Sequence, residues 1–250
     1  MTYCIASKLN SGLVFLSDSR TNAGVDDIAT HRKMTVLRKD KRTFILLSAG
    51  NLAITQSVRA QLNDSKVSKQ LWGVGSMYQA AEIIGRCIRS VKKRDGQALD
   101  REGVEFNCSF ILGGQILGED IRLFKIYSAG NFIEAEGDSI YFQIGETKYG
   151  KPILDRVLSP EISLDAAAKC MLLSMDSTLM SNLSVGLPLD LLVYEESYPG
   201  QIRYRYLDEN DAYFSQLKEN WSLHLKRGFD QLDRFDWDKA KKIDIKRIEC

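Results

Sequence analysis

Short runs of apolar residues dominate the first fifty positions of the chain and predict β-strands. Residues 2–9 form an extended segment that ends at a turn near Gly12, a continuous apolar run follows at 13–16, and two more short strands are predicted at 34–37 and 44–47. Runs in which every side chain is apolar are typical of strands covered on both faces, because a strand with one wet face alternates apolar and polar residues. The pattern therefore predicts a sheet with other layers packed on both sides.

Helical periodicity follows these strands in two segments. Residues 51–62 have a mixed pattern, whereas after Ser76 the apolar side chains recur at helical spacing, with charged side chains on the opposite face. Ser76 and Gln79 have the spacing of an N-terminal capping box. The cations at 92–94, with Gly96 just beyond them, predict the end of this helix.

The second half of the chain repeats this order. Strands are predicted between Phe106 and Ile144, interrupted at Gly113-Gly114, then helices at 146–157 and at 164–179 after a Ser163 cap, then strands at 189–194 and 202–207. This order predicts an α/β (α+β) fold, a four-layer αββα sandwich in which two sheets lie face to face and a helix pair covers each outer face. We expect one domain over residues 2–208 and a C-terminal helical extension with a charged tail over 209–250.

The predicted extension is rich in aromatic residues. Residues 210–227 form an amphipathic helix, and aromatic side chains continue as far as Trp237. So many large apolar side chains need a covering surface. They either pack on their own subunit or meet another one, and we expect the segment 210–237 to contribute to subunit contacts.

Charge and cysteine content narrow the class of protein. The chain carries 34 Lys and Arg against 33 Asp and Glu, a balance that favours neither nucleic acid nor another polyanion as a partner. Five cysteines without a C-x-x-C pair indicate reduced thiols rather than a disulfide framework or a zinc site, and two histidines are too few for a His-based metal site. No apolar run of about 18 residues is present to cross a membrane. We expect a soluble cytoplasmic protein without a metal or organic cofactor.

The first two residues suggest an N-terminal nucleophile. An initiator Met is removed when the next side chain is small, so we expect the mature chain to begin at Thr2. A terminal threonine carries a nucleophilic hydroxyl and its own base, the α-amine, whose ordinary pKa is about 8. Asp18 and Lys33, delivered by the next strands, would tune that amine.

The order of these features resembles that of a proteasome β-type subunit. The shared features are an N-terminal Thr strand, a hairpin into Ser17-Asp18-Ser19-Arg20, a lysine at the start of the third strand, and a strand that ends in Ser48-Ala49-Gly50 before a helix. The resemblance covers residues 2–207. Together with the stretch 181–186 and the added C-terminal helical region, the block 17–24 is most similar to Anbu, the bacterial proteasome-related family. The resemblance implies a homo-oligomer, as a ring or an open helical assembly, that hydrolyses peptides or unfolded proteins, and it leaves any ATPase partner open.

The resemblance also implies a role for each matching position. Thr2 would be the nucleophile, Lys33 would favour deprotonation of its hydroxyl, and Asp18 would hold the Lys33 ammonium in place. The backbone N–H of Gly50 would belong to the oxyanion hole, and Ser184 would stand in the site. Thr21, Ser48 and Asn51 would line a substrate pocket.

One departure from the proteasome pattern lies near the terminal amine. Proteasome subunits have a Gly-Ser-Gly turn whose Ser contacts that amine, whereas this chain has Gly145-Glu146-Thr147. Glu146 or Thr147 would have to substitute. A carboxylate close to the amine would hold it protonated and weaken it as a base near neutral pH.

A second departure lies after the predicted helix 164–179. Proteasomes have an Asp three residues before a Ser there. The ungapped match gives Ser181 and Ser184, and a gapped match pairs Asp176 with Ser184, so both alternatives stay open.

Two other classes of function remain beside the threonine hydrolase. One is a non-catalytic assembly or scaffold protein that keeps the fold, which the two departures favour. The other is an N-terminal amidohydrolase that acts on small amides or esters. The combination of Thr2, Asp18 and Lys33 favours an enzyme over a scaffold.

Overall fold

The computed structural model describes residues 2–22, 28–196 and 201–239, with the backbone alone at 21–22 and 28–29. The strands are β1 Tyr3–Leu9, β2 Gly12–Asp18, β3 Arg20–Asn22, β4 Ile28–Thr30, β5 Met34–Lys39, β6 Arg42–Gly50, β7 Cys108–Ile116, β8 Arg122–Ile126, β9 Phe132–Glu134, β10 Tyr141–Gly145, β11 Leu189–Glu195 and β12 Gln201–Leu207. The helices are α1 Leu52–Asn63, α2 Ser65–Gly73, α3 Met77–Arg101, α4 Lys151–Val157, α5 Leu164–Ser181 and α6 Ala212–Asp230, with a 3-10 turn at Trp237–Lys239.

Most of these strands form two five-stranded sheets. Sheet I has the order β10-β1-β2-β11-β12, and sheet II has the order β5-β6-β7-β8-β9. All neighbouring strands in both sheets are antiparallel. Strands β3 and β4 pair with each other as a separate ribbon.

Three apolar clusters show how the layers are stacked. One lies between the sheets and joins Phe15 of sheet I with Ile45 and Leu123 of sheet II. The second packs α1, α2 and α3 on the outer face of sheet II, and the third packs α4, α5 and the start of α6 on the outer face of sheet I. The predicted four-layer αββα sandwich is confirmed.

Strand β2 shows why continuous apolar runs predicted this architecture. Successive side chains of a strand point to opposite faces. Leu13 and Phe15 therefore enter the cluster between the sheets, and Val14 and Leu16 enter the cluster under α5. All four side chains are fully buried, so neither face of β2 meets water.

The two predicted helix caps are confirmed. Ser76 Oγ accepts the N–H of Gln79 at 3.2 Å, and Ser163 Oγ accepts the N–H of Ala166 at 3.2 Å. The Gln79 side chain does not complete a capping box on Ser76, because its Oε1 accepts the N–H of Gly75 at 2.7 Å.

Sheet II is covered by three helices, whereas the sequence predicted two. The additional helix, α2, begins where α1 ends, because the Asp64 carboxylate accepts the N–H groups of Lys66 and Val67 at 2.9 and 3.4 Å. Leu71 anchors α2 in the apolar cluster.

The predicted end of α3 near Gly96 is wrong, since the helix continues to Arg101. A glycine ends a helix when it adopts the left-handed conformation, but Gly96 is helical and buried within α3. Leu99, one turn further on, packs against the apolar cluster of sheet II. Tertiary packing therefore outweighs the local stop signal.

Two predictions about the second half of the chain are also wrong. The helix predicted at 146–157 is only Lys151–Val157, because Gly145 has a φ of +83° and the chain turns before Pro152 can start a helix. Gly113 does not interrupt a strand, since β7 runs through it. A Cβ on Gly113 would lie 2.6 Å from Phe15 Cζ, so the glycine lets the two sheets approach each other.

The C-terminal segment divides into a packed part and an exposed part. Phe214 of α6 is buried in the apolar cluster on the outer face of sheet I, and Leu217 of the same helix packs against that cluster. We expected these two side chains at a subunit contact, but they pack on their own subunit. Phe229, Phe235 and Trp237 expose 74%, 73% and 75% of their surface. No helix in the described part of the chain is long and apolar enough to cross a bilayer.

The cluster between the sheets should carry a large part of the stability. We expect Phe15→Ala to lower the free energy of unfolding by about 3–5 kcal/mol, because Phe15 is fully buried between the sheets. Urea denaturation followed by fluorescence measures this loss. Leu117→Ala is the control, since Leu117 is 50% exposed. Equal losses in the two variants would contradict this placement of the core.

Candidate active site

Thr2 lies at a cavity where strand ends of both sheets meet the start of α1. The cavity has a volume of about 480 Å³. Its lining residues are Thr2, His31, Lys33, Ser48, Ala49, Gly50, Asn51, Leu52, Thr55, Asn107 and Gly145. The sequence-predicted residues Thr2, Lys33, Gly50, Ser48 and Asn51 are therefore brought together in one place.

A buried ion pair adjoins this cavity. Lys33 Nζ lies 2.8 Å from Asp18 Oδ2, and the two side chains expose 7% and 0% of their surface. Asp18 Oδ1 accepts the N–H of Tyr3 at 2.9 Å, so the carboxylate also holds the residue that follows Thr2. Lys33 donates a second hydrogen bond to the Arg20 carbonyl oxygen at 2.5 Å. Asp18 thus positions both the lysine and the first strand.

The loop after α5 reaches the same carboxylate. Burial raises the pKa of Asp18, and Lys33 together with the N–H groups of Tyr3 and Gly186 acts in the opposite direction. A Cβ on Gly186 would lie 2.1 Å from Arg20 Nε, so a side chain there would displace the Arg20 side chain. The loop after α5 therefore adds one backbone N–H to the partners of Asp18.

The turn after β10 holds the backbone of Thr2. The N–H of Glu146 donates to the Thr2 carbonyl oxygen at 2.7 Å. Gly145 has a φ of +83°, and a Cβ on it would lie 2.0 Å from that same oxygen. The Glu146 carboxylate accepts hydrogen bonds from the Lys148 N–H at 3.0 Å and from the Asn182 side chain at 3.1 Å. Thr147 lines a different cavity.

Asn182 links this turn to the loop of Ser184. Its Nδ2 donates to Glu146 Oε2 at 3.1 Å, and its Oδ1 accepts the N–H of Ser184 at 3.0 Å. Asn182 is buried, and its amide joins the turn that holds Thr2 to the loop that reaches Asp18. The sequence did not indicate this residue, because the link spans 36 positions and exists only in the folded chain.

The three candidates near the end of α5 have different surroundings. Ser184 is partly buried in the loop that Asn182 holds, and Ser181 is the exposed last residue of α5. Asp176 lies on α5, where burial raises its pKa and Lys218 of α6 lowers it. None of the contacts among the described residues joins Asp176 to Ser184.

The start of α1 forms one wall of the cavity. Asn51 caps this helix, with its Oδ1 accepting the N–H of Ala53 at 3.0 Å. Gly50 has a φ of +107°, and a Cβ on it would lie 2.5 Å from the Asn107 carbonyl oxygen. The side chain of Thr21, the third predicted pocket residue, lies outside the described residues.

His31 and Asn107 are lining residues that the sequence did not indicate. The sequence offered His31 only as one of two histidines, too few for a His-based metal site, and Asn107 matched no motif. Among the described residues, no group of three or more His, Cys, Asp or Glu side chains gathers for a metal ion.

An αββα sandwich with a threonine before its first strand, a Lys–Asp pair and a glycine at a helix start defines the N-terminal nucleophile fold of proteasome β-type subunits. Among solved structures, the chain is similar to a Gly-1 mutant of Anbu from Hyphomicrobium sp. strain MC1, with 48% identity over 94% of this chain and 100% of that chain and a TM-score of 0.88. It is similar to Anbu (ancestral beta-subunit) from Yersinia bercovieri, with 48% identity, coverage of 94% and 99%, and a TM-score of 0.85.

A third similar structure is the helical assembly of the Anbu complex from Pseudomonas aeruginosa, with 41% identity, coverage of 96% and 100%, and a TM-score of 0.86. The chain belongs to the Anbu family. Comparisons with protein-family profiles and with curated proteins found no match.

The link between Asn182 and Glu146 generates a pH-dependent prediction. Asn182→Asp places a second carboxylate against Glu146, so we expect a loss of about 1–3 kcal/mol in unfolding free energy at pH 8. At pH 5 the loss should be smaller, because one of two facing carboxyls then retains a proton. Urea denaturation at both pH values measures the difference.

Asn220→Asp is the matched control for this experiment. Asn220 is exposed on α6, so its replacement should change stability equally little at both pH values. A loss for Asn182→Asp that does not depend on pH would contradict the contact with Glu146.

Proposed function

We propose that this protein is a proteasome-like threonine peptidase, in which Thr2 becomes the nucleophile after removal of Met1. The observation that carries the proposal is that Thr2, Lys33 and Gly50 line one cavity while Asp18 holds Lys33 at 2.8 Å. Its substrates are peptides or unfolded proteins. The four described cysteines are buried and free, which supports a place in the reducing cytoplasm.

The reaction begins when Thr2 Oγ attacks the carbonyl carbon of the scissile amide. The Thr2 α-amine accepts the hydroxyl proton, and the positive charge of Lys33 stabilises the developing alkoxide. The tetrahedral intermediate then collapses, the C–N bond breaks, and the leaving amine takes the proton from the Thr2 ammonium. An ester between the acyl group and Thr2 Oγ remains.

Water completes the reaction. The free α-amine accepts a proton from water as the water oxygen attacks the ester carbonyl carbon. The C–O bond to Thr2 then breaks, the acid product leaves, and Oγ regains its proton. In both steps the N–H of Gly50 donates to the oxyanion, and loss of one such donor typically costs about 2.7–4 kcal/mol of transition-state stabilisation.

The state of Met1 is the first test. We expect intact-mass spectrometry of purified protein to show a chain that begins at Thr2, because the proposed base is its free α-amine. Quantitative retention of Met1 would contradict the enzymatic proposal and favour the non-catalytic assembly protein.

Covalent labelling tests the nucleophile and its activator. We expect Thr2→Ala to abolish modification by a peptide epoxyketone or vinyl sulfone. Lys33→Ala should slow it by roughly 10²–10⁴-fold, the range typical of a lost acid–base or electrostatic group. Mass spectrometry of the adduct over time measures the rate.

Two variants serve as controls for labelling. Lys148→Ala removes an exposed lysine and should label at the wild-type rate. Lys33→Ala leaves the Asp18 carboxylate buried without its partner, so the double variant Asp18→Asn/Lys33→Met provides a folded comparison without a buried charge. Labelling of Thr2→Ala at the wild-type rate would place the nucleophile elsewhere.

We also propose that the protein forms a homo-oligomer through its exposed C-terminal surface. This surface comprises Phe229, Leu232, Phe235 and Trp237, each of which exposes at least 70% of its area. Burying such side chains contributes roughly 1.5–3 kcal/mol each, so several of them in water favour association. The helical assembly of a relative supports this direction.

Substitution of this surface tests assembly more cleanly than truncation, because truncation would also remove Phe214 from the core. We expect the triple variant Phe229→Ser/Phe235→Ser/Trp237→Ser to form smaller particles than wild type in size-exclusion chromatography with light scattering. Val36→Ser, at another exposed apolar position, is the control. Particles of wild-type size in the triple variant would show that this surface is not an interface.

A further inference from the structure

The cavity beside Thr2 lacks acidic groups. None of its described lining residues is acidic, whereas His31 and Lys33 are basic and Ser48, Asn51 and Asn107 are polar. Asp18 neutralises Lys33 from behind the lining. Lys33 and Asp18 therefore form a neutral pair, and the described lining offers no carboxylate to any other cation near the cavity.

Two basic side chains near the cavity have no carboxylate partner among the described residues: His31 lines the cavity, and Arg59 lies beside that lining. Arg59 lies one helical turn after Thr55 on α1, is partly buried, and donates from Nη1 to the Arg32 carbonyl oxygen at 3.1 Å. The described residues form no ion pair with it. His31 Nε2 is buried and has no hydrogen-bond partner among the described residues.

The hydrogen bond from Arg59 to the Arg32 carbonyl oxygen brings the guanidinium beside His31 and Lys33, because Arg32 lies between them in the chain. Burial lowers the pKa of His31, and the charges of Arg59 and Lys33 lower it further. These effects favour the neutral form of His31 and leave Arg59 as a partly buried cation without a carboxylate partner. A carboxylate that enters the cavity would pair with Arg59 and favour a proton on His31. The start of α1, which lines the same cavity, also favours a negative charge.

We infer that the cavity binds an acidic side chain, aspartate or glutamate, on the acyl side of the bond to be cleaved. Arg59 is the cation that selects the negative charge, and His31 joins it by taking up a proton as the carboxylate binds. The side chain's position relative to the bond rests on the proposed function, in which Thr2 attacks the carbonyl carbon of that residue. Binding of the acidic group itself does not depend on catalysis.

Binding is therefore measured on the full-length Thr2→Ala variant. Three N-acetylated, C-amidated peptides that differ only at one residue, Glu, Gln or Leu, are titrated by calorimetry. The Glu peptide binds about 10-fold or more tightly than the Gln peptide, because the two have the same shape and differ in charge. Equal affinities, a preference for Leu, or no saturable binding of the Glu peptide would each overturn the inference.

Two further measurements identify the selecting residues. Arg59→Gln brings the Glu-to-Gln affinity ratio close to 1, whereas Arg86→Gln, at an exposed arginine of α3, leaves it unchanged.

The chain has two histidines, so His224→Gln leaves one imidazole signal in the NMR spectrum. The pKa of His31 rises when the Glu peptide binds. The affinity for that peptide therefore falls as the pH rises through the pKa of His31. An unchanged affinity ratio in Arg59→Gln, or an unchanged His31 pKa, would remove that residue from the inference.

This design separates the inference from the proposed function. Charge-selective binding in Thr2→Ala, with no covalent labelling of the wild type, would retain the acidic-side-chain site and remove the hydrolase. Labelling of the wild type without any preference for Glu over Gln would retain the hydrolase and overturn the acidic-side-chain site.

Discussion

The buried ion pair between Asp18 and Lys33 is the interaction on which the rest of the site depends. Asp18 ends β2 in sheet I, and Lys33 immediately precedes β5 in sheet II, so the 2.8 Å contact ties the two sheets together at one end. Each ion removed from water costs several kcal/mol unless it is paired and hydrogen-bonded. Asp18 meets this condition with the N–H groups of Tyr3 and Gly186 as well as Lys33. Where this pair forms, the first strand and the loop after α5 must converge, and Thr2 comes with them.

A glycine makes this convergence sterically feasible. Gly145 adopts a positive φ and passes so close to Thr2 that a side chain would overlap its carbonyl oxygen. Asn182 then bridges the two loops through Glu146 and Ser184. Both carboxylate oxygens of Glu146 have partners in this network, which draws the acid toward Asn182 and Lys148. Glu146, which stands where proteasome subunits have a serine, therefore has a hydrogen-bond partner in Asn182 that the proteasome pattern did not predict.

The apolar side chains of α6 and of the segment after it divide into a buried group and an exposed group. Phe214 and Leu217 complete the core over sheet I, so the first turns of α6 are part of the sandwich. The aromatic side chains from Phe229 onward contact little of their own subunit. The start of α6 thus packs in the core, whereas its end leaves apolar side chains exposed. The sequence pattern alone did not distinguish these two ends, because both have the same helical spacing.

Sequence pattern by itself determined the layers and the helix caps, because strand periodicity and capping are local properties, and the order of the motifs predicted that Thr2, Asp18 and Lys33 would lie close together. It did not determine where helices stop, since packing of Leu99 carries α3 beyond Gly96. Nor did it reveal α2, whose start depends on one shared carboxylate, Asp64. Only the tertiary structure showed that Asn182, His31 and Asn107 belong to the surroundings of the cavity. Their partners and the cavity they adjoin are assembled from distant segments, and no spacing along the chain encodes a contact that forms only when two sheets close on each other.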